Sequence, residues 1–300
     1  MRAVETEWSG VPSLSLSEGG REAVVSLAFG PRILFFGPEG GENLLGIPED
    51  LTEPKDPALW RLYGGHRLWH APESRPRSYH PDNGPVSWTR EEEGVLFSVP
   101  TDPAGIEKEI TLRWSQGRLL LDHRITNRNL WPIEAAPWAI TVMAPGGTAI
   151  LPLPDAKKPQ ENLLPDLSVS LWGYTDPGDV RIRWKRPLLR VHHDPSALSP
   201  LKIGLSPTLG ALGYARANSL FLKSFPLFPS LPYPDRGAAL ECYTDAKVLE
   251  IESLAPLSLL APGESALHGE AWTFTPLTEQ ETEESLEDLL KRAAAGEILP

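Results

Sequence analysis

The chain has 300 residues, a formal net charge of -12 and a pI near 5.1. That acidity excludes a nucleic acid or an anionic membrane surface as the main partner, since either requires a basic stripe, and it leaves small neutral ligands open. Cys242 is the single cysteine, so neither an internal disulfide nor a cysteine cluster for zinc can form.

The start, MRAVETEWSG, lacks the basic and apolar stretches of a secretion signal, and no apolar run approaches the roughly 20 residues that span a bilayer. A cytoplasmic protein is the expectation. Short apolar and β-branched runs punctuated by Gly and Pro then recur along the chain, beginning at Ala23–Phe29 and Arg32–Phe36.

Gly64 to Asn83 (GGHRLWHAPESRPRSYHPDN) shows no strand or helix period, yet it concentrates His66, Arg67, Trp69, His70, Glu73, Tyr79, Asp82 and Asn83. A loop this dense in polar groups is where a site is built, and Trp69 and Tyr79 can lie flat on an apolar ligand face. His66 and His70 have the H-x-x-x-H spacing of a metal pair. They lack the accompanying glutamate, and Pro72 follows at once, so no metal is expected.

Further runs follow at Val95–Pro100, Ile106–Trp114 and Arg118–Asn127, the last two joined by Ser115, Gln116 and Gly117 as a long hairpin. His123 alternates with Leu121 and Ile125 and reads as a core residue with a backbone partner. Strand patterns resume at Ala139–Ala144, Val180–Trp184, Ala211–Ala215 and Ser219–Phe225, where Lys223 can reach into a cleft. The proline-rich stretches Ile150–Pro165 and Phe225–Arg236 flank no change of composition and read as loops within one domain spanning residues 1–300.

Late strands at Ala238–Thr244 and Val248–Leu254 place Glu241 and Tyr243 on one face and Leu240 and Cys242 on the other. Glu250 and Glu252 alternate with apolar neighbours. Glu250 reads as an acid shown to water, while Glu252 is balanced between that and a ligand contact. After a final strand at Glu270–Phe274 comes one helix, at about 279–295. Its signals are a Thr278/Glu281 capping box, a Leu286, Leu289, Leu290 stripe and Gly296 at the end. A dozen strands and one helix predict an all-β fold, a large antiparallel sandwich of two facing sheets.

Several of these segments together resemble the galactose mutarotase (aldose 1-epimerase) superfamily. Leu240 to Ala246 (LECYTDA) is a shortened form of its glutamate strand, Leu260 to Glu264 (LAPGE) supplies its second motif, and Glu270 to Phe274 its last aromatic strand. Thr126-Asn127 looks like the T-N turn before the family's histidine segment, and Gly64 to Pro72 like its early sugar-binding segment. The likeness is closest to a bacterial group marked by GGHRxWxAPE, a PDN triplet and the run from Ala136 to Gly147.

The resemblance implies a small-molecule carbohydrate ligand, no cofactor, and Glu241 as a catalytic base. Where an epimerase places its acid histidine this chain has Trp138, which stacks on a ring but shuttles no proton. His66 or His70 is then the expected acid. Arg67, Glu73, Asp82, Asn83, Lys223 and Glu252 are the expected hydroxyl contacts, and Trp69, Tyr79 and Trp138 the expected stacking surfaces. A carbohydrate-binding protein without catalysis is the alternative.

Overall fold

In the computed structural model, which describes residues 1–48, 50–52, 56, 58–161, 163–277 and 282–297, the chain forms two antiparallel sheets. The first has 11 strands. Edge to edge it runs Arg2–Trp8, Val11–Glu18, Arg21–Ser26, Arg32–Pro38, His66–Ala71, Ile133–Met143, Leu249–Leu254, Leu240–Thr244, Leu201–Leu205 and Val169–Leu171, with Ser258–Leu260 added beside Ile133–Met143. The second has 10: Ile182–Lys185, Leu188–His192, Thr148–Pro152, Ala211–Arg216, Ser219–Ser224, Ser265–Pro276, Arg118–Asn127, Ile106–Ser115, Val95–Ser98 and Ser87–Arg90.

Alternation explains the second sheet directly. Ile106, Ile110, Leu112 and Trp114 turn inward along one strand, and Leu119, Leu121, His123 and Ile125 along its partner. The turn between them has Gln116 at φ 52° and Gly117 at φ 72°, the left-handed pair that a two-residue hairpin demands. Between the sheets, Phe36, Phe221 and Trp272 pack edge to face with ring centres 5.4–5.7 Å apart.

The central strands of the first sheet behave differently. His66–Ala71 and Leu249–Leu254 have every residue buried, because the inner face meets the second sheet and the outer face is also covered. A strand buried on both sides loses its two-residue period. That is why the start of Gly64–Asn83, expected to lack regular structure, is in fact a strand.

The helix Glu283–Ala294 lays Leu286, Leu290 and Ala293 on the outer face of the second sheet against Ala211, Leu220 and Leu222. Its cap is Thr282, whose Oγ1 accepts from the Ser285 backbone N–H at 3.2 Å while Ser285 Oγ accepts from the Thr282 N–H. The expected Thr278/Glu281 box lies outside the described residues. No helix among the described residues is long and apolar enough to cross a membrane.

Candidate functional site

Register in the first sheet builds a cavity on its outer face. Trp69 pairs with Trp138, Arg67 with Ile140, Ile140 with Glu252, Glu252 with Glu241, and Tyr243 with both Lys202 and Glu250. Directly opposed residues in antiparallel strands share a face, so these side chains emerge together, while Leu240, Cys242 and Ile251 enter the core. The resulting cavity of about 470 Å³ is walled by Trp60, Trp69, Tyr79, Trp138, Trp172, Tyr174 and Tyr243. Arg67, Glu73, Arg75, Lys202, Asp245 and Glu250 supply charge. Its volume suits a small ligand.

The aromatic walls brace one another. Trp69 meets Trp138, Trp60 and Tyr79 edge-on at 5.1–5.6 Å, and Trp60 meets Tyr79 at 5.4 Å. Gly204, opposite Glu241, makes room for Ala238, with Trp172 in ordinary contact beside it. A Cβ there would sit 2.8 Å from Ala238 Cβ and 3.4 Å from the Trp172 ring.

Three ion pairs, each backed by an aromatic face, set the electrostatics. Arg67 Nη1 lies 3.0 Å from Glu250 Oε1 and its guanidinium stacks 4.8 Å from the Trp69 ring. Lys202 Nζ lies 2.6 Å from Glu241 Oε2 and 3.0 Å from Glu252 Oε2, between the faces of Trp138 and Trp172 at 4.4 and 4.7 Å. Trp138 Nε1 donates to the same Glu252 oxygen at 2.7 Å. Burial alone would lower the Lys202 pKa, but the two carboxylates outweigh it and hold the ammonium firmly charged. Burial pushes Glu250 upward, opposed by Arg67. At the rim Tyr79 donates to Glu73, and burial together with that bond raises the phenol to about 12.

Of the expected site residues, Arg67, Trp69, Glu73, Tyr79 and Trp138 line this cavity. Glu252 lies beneath Trp138, and Glu241 beneath Lys202, fully buried and touching the cavity only through its neighbours. Glu250, expected to face water, is 7 % exposed and bound to Arg67. Asp82 pairs with Arg32 at 2.5 Å, away from the cavity. Asn83 contributes at one remove, since its Nδ2 donates to Leu59 O at 2.9 Å beside Trp60.

His66, His70 and Lys223 require correction. On a strand, residues four apart share a face, and His66 and His70 both sit opposite Arg67 and Trp69, in the space between the sheets. Neither faces Glu241 across a cleft. His123 Nδ1 donates to the His268 carbonyl at 2.9 Å, so its Nε2 accepts from His66 Nε2 at 2.8 Å, and Thr141 satisfies His66 Nδ1 at 2.9 Å. Burial and His123 hold His66 well below the usual imidazole range, and burial with Lys108 lowers His70 to about 2. Lys223 is also internal, 2.8 Å from Glu270 Oε1, which Ser253 also reaches while Trp272 Nε1 donates to Oε2. Ligand atoms of His66, His123 and Glu270 lie within 4.8 Å of one another. Each already has a partner, and the Lys223 ammonium occupies the carboxylate, so the set reads as an inter-sheet polar core.

Lys202, Trp172, Tyr174 and Trp60 escaped the sequence reading. Lys202 alone carried a signal, a lone cation in the apolar strand LKIGL, costly to bury without a carboxylate opposite.

Neither a protein-family model nor a curated protein matches the sequence. Solved structures do match its fold. A galactose mutarotase-like protein from Lactobacillus casei superposes with a TM-score of 0.57 at 10% identity, over 88% of this chain and 100% of that one. A putative mutarotase (YeaD) from Salmonella typhimurium gives 0.57 at 9% identity, over 91% and 94%. A galactose mutarotase-like protein from Clostridium acetobutylicum gives 0.56 at 12%, over 92% and 98%. The fold is the mutarotase-like β-sandwich.

Proposed function

We propose that the cavity on the first sheet binds one pyranose ring and that the protein interconverts the anomers of an aldose by acid–base ring opening. The observation that carries this reading is the conjunction at one cavity of aromatic walls and a buried Lys202, Glu241, Glu252 cluster. Ring C–H faces stack on Trp69, Trp138 or Trp60, and Arg67, Glu250 and Glu73 meet hydroxyls. Similarity in fold to proteins described as mutarotases agrees with a sugar ligand, while identity near 10% leaves the chemistry to the site. The GGHRxWxAPE and PDN segments belong to the same proposal, since they supply Arg67, Trp69 and Glu73 to the cavity and Asn83 behind Trp60.

Ring opening needs a base for the anomeric hydroxyl proton and an acid for the ring oxygen. Glu241 is the carboxylate we assign to this work. The binding-only reading is favoured by two observations: no imidazole lines the cavity among the described residues, and Lys202 covers Glu241. Exchange between anomeric protons across a panel of aldoses, followed by NMR with and without protein, separates them. Acceleration abolished by Glu241→Gln with binding retained supports the enzyme. Saturable binding without acceleration leaves a carbohydrate-binding protein, and neither across the panel refutes both.

A further inference from the structure

Ring opening moves a proton at the anomeric centre, so the group that moves it has to line the cavity. Glu241 and Glu252 do not; both are fully buried, beneath Lys202 and Trp138. Among the ionisable groups that do, Arg67 and Arg75 keep their protons throughout, and two carboxylates hold Lys202 charged. Burial raises the phenols of Tyr79 and Tyr174 to about 12 and that of Tyr243 upward as well, too high to exchange protons at neutral pH. Glu73 is exposed at the rim and accepts the Tyr79 O–H. Asp245 accepts the Tyr243 O–H at 3.1 Å and the Lys247 and Val248 N–H groups at 2.7 and 2.9 Å. Glu250 remains.

The setting of Glu250 suits the task. Arg67 Nη1 reaches its Oε1 at 3.0 Å, and no donor among the described residues reaches its Oε2. The guanidinium therefore fixes the carboxylate and leaves one oxygen for a ligand. Register then sets Glu250 in a row with two other cavity residues. Lys202 is directly opposite Tyr243, and Tyr243 directly opposite Glu250, across three adjacent strands. Two strand spacings put the Cα atoms of Lys202 and Glu250 about 10 Å apart, with Tyr243 between them. The ammonium has three N–H groups, and Glu241 and Glu252 take two, so one is left for a ligand. A ring lying over Tyr243 meets a free carboxylate oxygen on one side and an ammonium N–H on the other.

We propose that Glu250 meets the anomeric centre directly and alone carries the proton between the anomeric and ring oxygens, with Lys202 facing the ring oxygen. The inference rests on the sugar-site reading. Glu241 serves ring opening at one remove, through the ammonium it holds.

The step balances. Glu250 Oε2 takes the anomeric O–H proton, the electron pair of that bond forms the carbonyl, and the bond from the anomeric carbon to the ring oxygen breaks. Its electron pair stays on the ring oxygen as an alkoxide facing the Lys202 ammonium. Glu250 then gives the same proton to that alkoxide. One group serves both oxygens because both start on one carbon. The open hydroxyaldehyde turns about its first C–C bond, and the reverse sequence closes it on the other face. Carboxylate and ammonium end as they began.

Anomer exchange followed by NMR in Glu250→Gln tests this, with folding checked by a thermal melt. The amide can still accept from Arg67 but takes no proton. A fall in kcat of about 10²–10⁴-fold with KM little changed is expected. Formate added to Glu250→Ala should restore part of the rate above its protein-free background. A third readout needs no variant: native kcat should fall on the acid side with an apparent pKa above the ordinary carboxyl range, because burial raises Glu250 against the pull of Arg67. The other ionisable groups facing it are Lys202, Glu252 and Tyr243. Native kcat in a folded Glu250→Gln, a loss confined to KM, or a native kcat flat from pH 5 to pH 8 overturns the inference and leaves the sugar site standing. Sugar binding with no native exchange does the same. Neither binding nor exchange with any aldose overturns the sugar-site reading itself.

Discussion

Replacing Lys202 with Met tests the charge balance beneath the cavity. The change removes the ammonium that lies 2.6 Å from Glu241 and 3.0 Å from Glu252 while filling much of the same space. Removing one partner of a buried ion pair costs about 3–5 kcal/mol, because the other charge stays buried and uncompensated. For a chain of this length that is a fall in Tm of roughly 5–8 °C.

The penalty must depend on pH. Burial already raises Glu241 above its unfolded value, so its contribution is fully present below the unfolded carboxyl pKa and is lost as pH rises through the folded one. Without Lys202 the folded pKa rises further, and each affected carboxyl makes the variant lose about 1.4 kcal/mol per pH unit across that window. Urea titrations of both proteins from pH 5 to pH 8 should show a small difference at the acid end, widening toward pH 8. Lys202→Met with Glu241→Gln should recover part of the loss at pH 8. A destabilisation constant over this range, or a double variant weaker than the sum of the singles, would refute the reasoning.

Trp69→Ala is expected to weaken sugar binding by about 2–10-fold, the equivalent of roughly 0.5–1.5 kcal/mol of aromatic contact, measurable by calorimetric titration. His70→Ala should leave anomer exchange unchanged, because the imidazole lies on the far side of the sheet; lost exchange in a folded variant would return it to the reaction. Gly204→Ala should lower stability by about 1–3 kcal/mol in a thermal melt, since its Cβ would press on Ala238. Burial lowers His70 and His268 to about 2 and about 3, so both are neutral when folded and bind protons on unfolding. Stability supplied by these imidazoles is present above about pH 6.5 and is lost as pH falls toward their folded values, and a melt series should be flatter in His268→Gln.

The sequence by itself determined the sandwich, the Ile106–Asn127 hairpin and the face on which Glu241 lies. Each follows from local rules: a two-residue period and left-handed turn residues. It also pointed to Arg67, Trp69, Glu73, Tyr79 and Trp138. What it could not supply was which side of the first sheet each central residue occupies. His66–Ala71 is buried on both faces, so hydropathy does not distinguish the imidazoles facing the core from the Arg67 and Trp69 side chains facing the cavity. Only register across five strands decides that, and it is also register that brings Lys202, 39 residues before Glu241, into contact with it. The pairing of distant charges depends on long-range strand order, a property with no local signature.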